Sequence, residues 1–117
     1  MLVKMINPAL ATTNGLNTDK DKSGPGLDVA IVKKAVENSY NVLDAIQYSY
    51  SGAGSAEGGI IVKDGDKEVF DLDLTDNRGA VDLYICGSPG KTLEVRLKSG
   101  GIGVIGKLNI QTHLESA

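Results

Sequence analysis

Positions 40 to 50 alternate: Tyr40, Val42, Ile46, Tyr48 and Tyr50 all fall on even numbers, with Asn41, Gln47 and Ser49 between them. A period of two over that length predicts a half-buried β-strand. The same rhythm returns three times. Phe70, Leu72 and Leu74 oppose Asp71 and Asp73; Val81, Leu83 and Ile85 share a face; Leu93, Val95 and Leu97 oppose Glu94, Arg96 and Lys98. The run "GKLNIQTHL" adds a last strand with Leu108, Ile110 and Thr112 on one side. Between "IIVK" and "KEVF", Asp64-Gly65 suits the left-handed dihedrals of a two-residue hairpin turn. "GSPG" at 87–90 marks a second turn. Residues 27–38, "LDVAIVKKAVEN", are ambiguous. Val29, Val32, Ala35 and Val36 fit a helical stripe with Asp28 as its N-cap, but the β-branched content favours a strand.

Short alternating runs separated by turns roughly every 8–12 residues predict an all-β chain of about seven or eight strands. The expected architecture is an antiparallel β-sandwich, jelly-roll-like, over residues 28–117. An extended N-terminal arm, residues 1–27, precedes it. The arm begins mildly apolar, "MLVKMINPALA", and continues as "TTNGLNTDKDKSGPG", a loop or linker composition. Such a segment cannot offset an ordering entropy of roughly 1–2 kcal/mol per residue by itself. It is expected to order against its own domain, a sister subunit or another protein. Leu2, Val3, Met5, Ile6 and Leu10 are the candidate partner-binding residues, spaced to press into a groove or extend a sheet.

Composition narrows the function. The 117 residues leave room for one core, and 15 glycines with no Trp and one Phe describe many turns around Val, Ile and Leu. A net charge of −3 speaks against nucleic acid as a partner, because neutralising phosphates needs a clustered basic surface. The single cysteine excludes an intrachain disulfide and a multi-cysteine metal site. The N-terminus lacks the long apolar run of a secretion signal, and no run of about 18 apolar residues suggests a membrane span. Synthesis and residence in the cytoplasm are expected.

Four stretches imitate active chemistry. In "SGGIGVIGKLNIQ", Gly101, Gly103 and Gly106 spell a dinucleotide-binding turn, and Gly101 to Lys107 spell the front of a phosphate-binding loop. The chain ends at Ala117, too soon for the crossover helix, and Leu108 stands where a magnesium-binding Ser or Thr belongs. A Gly-rich bend with Ile102, Val104 and Ile105 plugging the core is expected instead. "DKDKSG" puts Asp19, Asp21 and Ser23 at the first oxygen positions of a calcium loop, but Ala30 replaces the closing glutamate, so a solvated loop is expected. Asp71, Asp73 and Asp76 are expected to form a solvated strand face rather than a glycosidase pair, which would want sugar-stacking aromatics. Cys86 and His113 are the only residues of their kind. Cys86 is expected to be a small buried filler, and Tyr40, Tyr48 and Tyr50 are expected to supply core bulk rather than a ligand platform. No catalytic, cofactor-binding or metal-binding residue is assigned, and a non-enzymatic role is expected.

"YSYSGAGSAEGGIIV" and "SPGKTLEVRLKSGGIGVIGKLNI" resemble, in strand rhythm and glycine placement, the small Gly-rich β-sandwich structural proteins of tailed bacteriophages. Some of those are capsid decoration, or cement, proteins. The resemblance spans roughly residues 46–110 and carries no functional residue across. It implies a virion subunit made in the host cytoplasm that partners the major capsid protein or another assembly subunit. It also implies a homo-oligomer, with a trimer among the symmetries open to it. The alternative expectation is a ligand- or carbohydrate-binding sandwich module of a phage fibre or adhesin, recognising its ligand through loops such as 51–59.

Overall fold

The computed structural model describes residues 16–52 and 57–117. Eight strands run in order: β1 (Asn17–Lys22), β2 (Val29–Lys33), β3 (Ser39–Tyr50), β4 (Gly59–Asp64), β5 (Lys67–Asp73), β6 (Arg78–Cys86), β7 (Leu93–Leu97) and β8 (Gly106–Ser116). They form two antiparallel sheets of four, ordered β1-β8-β3-β6 and β2-β7-β4-β5, as a β-sandwich. The ambiguous stretch after Leu27 is thus strand β2. Among the described residues no helix is long and apolar enough to cross a membrane.

The core lies between the sheets. Leu43, Ile46, Tyr48 and Tyr50 of β3 and Leu108 and Ile110 of β8 meet Val29, Ile60, Val62, Leu93, Val95 and Leu97 of the second sheet. Phe70, Leu72, Leu83 and Ile85 close its margins, half-buried, as the alternation predicts. Burying each such aliphatic side chain contributes about 1.5–3 kcal/mol, which is what fixes the register of strands this short.

Three expectations are corrected. The polar run "NTDKDK" is a strand, paired with β8 from Asn17 opposite Thr112 to Lys22 opposite Lys107. Its side chains are almost wholly exposed, so backbone pairing rather than burial holds it. Lys33 Nζ also bridges to Asp19 across the sandwich edge at 2.6 Å. Charge on an edge strand guards it against sheet-to-sheet aggregation, and hides it from a reading based on hydrophobicity. The hairpin turn is shifted by one residue: Asp64 pairs with Lys67, leaving Gly65 and Asp66 as the loop. Ile102 does not plug the core. It stands wholly exposed, while Val104 alone of its neighbours packs against the buried cluster.

The fourth correction decides what the outer surface presents. Register shifts between Leu43 and Ala45 on both sides of β3. Against β8 the partners pass from Thr112 to Gln111, so Asp44 is the extra residue of a β-bulge; against β6 they pass from Ile85 to Asp82, so the extra residue there lies on β6. A bulge flips the alternation beyond it. After it the even residues Ile46, Tyr48 and Tyr50 face the core; before it the odd residues Asn41 and Leu43 do. Tyr40 therefore does not share a face with Tyr48 and Tyr50. It turns outward with Asp44.

Candidate functional site

Of the glycines that imitate a nucleotide loop, Gly106 makes room for Tyr50, together with Gly58 and Gly100 outside the motif. A Cβ on Gly100 would come within 2.6 Å of its ring, one on Gly58 within 2.5 Å of its hydroxyl, and one on Gly106 within 3.4 Å of its ring. The ring fills the space those side chains would take, and its hydroxyl donates to the Lys98 carbonyl at 2.8 Å. Burial pushes that phenol up to about 12. Gly101 and Gly103 have φ of 118° and 76°, the left-handed region that favours glycine, and they make the tight turn that lifts Ile102 clear. Packing and turn geometry account for the motif.

Two groups of polar side chains lie on the outer face of the first sheet, whose cross-strand rows are set by register. One row reads Lys22, Lys107, Ser49, Arg78 across all four strands. The next reads Lys20, Asn109, Gln47, Ala80. Between them lies a groove of about 480 Å³ whose wall and floor include Gln47, Ser49, Arg78, Ala80, Lys107 and Asn109. Then come Thr18, Gln111, Ala45 and Asp82. The face is cationic at this end in a chain that is acidic overall.

The far end carries a cluster of paired side chains. His113 on β8 sits between two carboxylates, Nδ1 on Asp44 at 2.6 Å and Nε2 on Glu115 at 2.7 Å. Tyr40 and Tyr84 each donate a hydroxyl to Glu115, at 2.7 and 2.8 Å. Four strand residues and the bulge residue thus form one network. Burial works against the His113 imidazolium, but its hydrogen bonds to Asp44 and Glu115 outweigh it and raise its pKa above 6.5. The Tyr40 and His113 hydrogen bonds hold Glu115 down at about 2. The same carboxylate pushes Tyr40 up to about 12, and raises Tyr84 as well.

Cys86 belongs to this end of the face. It is exposed, not the buried filler expected, because β6 places it on the outward side. Val42 pairs with Cys86 on one side and His113 on the other, so two strand spacings of about 4.8 Å each separate the pair. Both imidazole nitrogens are already taken by carboxylates, and desolvation raises the thiol, so the arrangement does not generate a thiolate. The imidazole also keeps its two carboxylates apart. No group of three metal-ligating side chains converges among the described residues.

The other candidates are dispersed. Asp19 is spent on Lys33, Asp21 accepts from the Lys22 backbone, and Ser23 accepts from the Gly106 N–H at 2.8 Å, so the three do not form a loop. Asp71 and Asp73 project outward from β5, exposed. Leu2, Val3, Met5, Ile6 and Leu10 lie outside the described residues. The Lys22–Arg78 row was missed because its members come from four strands. Only strand order reveals it.

No protein family and no curated protein matches the chain. Several solved structures overlap it partially. The crystal structure of FLHE has a TM-score of 0.43 at 14% identity, over 85% of this chain and 97% of that one. A chain of the acid-stable capsid of Helicobacter pylori bacteriophage KHP30 has a TM-score of 0.43 at 14% identity, over 83% of this chain and 93% of that one. PliG of Aeromonas hydrophila, a periplasmic inhibitor of g-type lysozyme, has a TM-score of 0.41 at 11% identity, over 90% of each chain. Overlaps of this depth join the chain to no family.

Proposed function

We propose that this chain is a non-enzymatic structural subunit, a capsid decoration or cement protein of a virion. It binds the major capsid protein or another assembly subunit, together with further copies of itself. The observation that carries the reading is Ile102. It is 103% exposed at the tip of a turn closed by hydrogen bonds from Val104 N–H to Gly101 O at 3.1 Å and from Gly26 N–H to Val104 O at 2.8 Å. Leu27, 61% exposed, follows Gly26, which packs against the backbone of Ile102. Val32 and Val36 continue the exposed apolar positions along the edge strand β2 and beyond it. A bare isoleucine on a constrained turn costs solubility and little entropy on docking, the profile of an anchor that fills a partner's pocket. Many copies on a shell add such weak contacts through avidity.

The test is co-sedimentation of the full chain with shells assembled from the major capsid protein of the same genome. Saturable binding that falls at least tenfold in Ile102→Asp supports the reading. Absence of binding, or binding indifferent to both Ile102→Asp and deletion of residues 2–15, overturns it. The deletion stops before β1 so that the sheet is left whole.

A further inference from the structure

We infer that the groove between the first two rows of the outer face binds an anionic sugar, one carrying a carboxylate or sulfate beside free hydroxyls. This goes beyond the assembly role and rests on a different surface. The first observation is the Lys22–Lys107 pair, two like charges directly opposite on neighbouring strands. Such a pair destabilises a sheet, and a sequence retains one where a ligand's charge offsets it. The second is that Lys20, Lys22, Arg78 and Lys107 make no ion pair among the described residues, whereas Lys33 and Arg96 on the second sheet do. Arg78 and Lys107 line the groove of about 480 Å³, a size that suits a small ligand, and Lys20 and Lys22 stand beside Asn109 and Lys107 on the neighbouring edge strand.

The row Lys22, Lys107, Ser49, Arg78 spans about 14 Å at three strand spacings. Arg78 supplies a planar donor fork for a carboxylate or sulfate, and the Ser49 hydroxyl stands between it and Lys107. The second row chooses a hydroxylated anion over a bare one. Asn109 and Gln47 are cross-strand partners, and each amide offers a donor and an acceptor together, which sugar hydroxyls match. Tyr48 lines the groove but belongs to the core cluster, so no free ring face is offered to stack a nucleobase. Asp82, opposite Ala45, and Asp44 beyond it end the favourable field, confining the anion to the first two rows.

Calorimetric titration of the full chain tests this, with tetragalacturonate as the carboxylated probe, a sulfated tetrasaccharide as the second, and tripolyphosphate as the charge-only control. One-to-one saturable binding of either saccharide is expected, weakened at least tenfold in R78S/K107S and severalfold in Gln47→Leu or Asn109→Leu. Affinity is expected to fall as salt rises. Lys20→Glu, on the edge strand, repeats the charge test should the double variant melt early. Failure of both saccharides to saturate, tripolyphosphate binding as tightly as they do, or affinity unmoved by the charge and amide variants overturns the inference.

Discussion

Tyr50 and Tyr40 end the same strand and are held by opposite means. Tyr50 faces inward, where Gly58, Gly100 and Gly106 leave room for its ring and one carbonyl takes its hydroxyl. Tyr40 faces outward, where Glu115 takes its hydroxyl and His113 and Asp44 complete a charged network. One is fixed by shape, the other by charge. The Asp44 bulge makes both possible, since without it every second side chain of β3 would face the same way. Shape inside sets stability. Charge outside sets what the sheet presents to a ligand and at what pH.

The comparison breaks most readily at Tyr50. Tyr50→Ala is expected to cost about 3–5 kcal/mol, as loss of a buried aromatic does, read by urea unfolding. Gly100→Ala attacks the same contact from the other side: its Cβ would sit 2.6 Å from the Tyr50 ring and 2.8 Å from Val104. Overpacking of that kind is expected to cost about 1–3 kcal/mol in the same assay.

Much of the fold is legible in the amino-acid sequence. The strands β5 to β8 followed from alternation because each buries one face against the opposite sheet. β1 did not, because "NTDKDK" buries almost nothing and owes its place to the β8 backbone. The bulge did not either. Tyr40, Val42, Ile46, Tyr48 and Tyr50 keep even numbers throughout, and counting positions cannot see that one residue has been inserted into the pairing with β8. Val42 is buried under either reading, so it gives no warning. The candidate sites were least legible, because both the cationic row and the His113 network gather side chains from three or four strands.

The outer network gives a smaller, pH-dependent effect. His113→Gln is expected to cost about 1–2 kcal/mol, the scale of hydrogen bonds to charged groups at a half-exposed site. Two linkages set the window. The raised His113 stabilises fully below its ordinary 6.5 and loses that contribution as pH rises through the raised value. The lowered Glu115 stabilises above its ordinary 4.5 and loses its contribution as pH falls towards about 2. Thermal melts of wild type and His113→Gln should therefore differ most between 4.5 and 6.5, and converge on either side. The smallest effect expected is a gain. Thr112 is buried with its hydroxyl unpartnered among the described residues, so Thr112→Val should raise stability by about 1 kcal/mol in the same melts.

The division of β3 by its bulge is tested most directly by NMR titration of the imidazole, since His113 is the chain's only histidine. Asp44 reaches His113 only if the bulge turns it outward. The account predicts a midpoint above 6.5 that falls in Asp44→Asn, with the Tyr50 environment unchanged. A midpoint at or below 6.5, indifferent to Asp44→Asn, would contradict it.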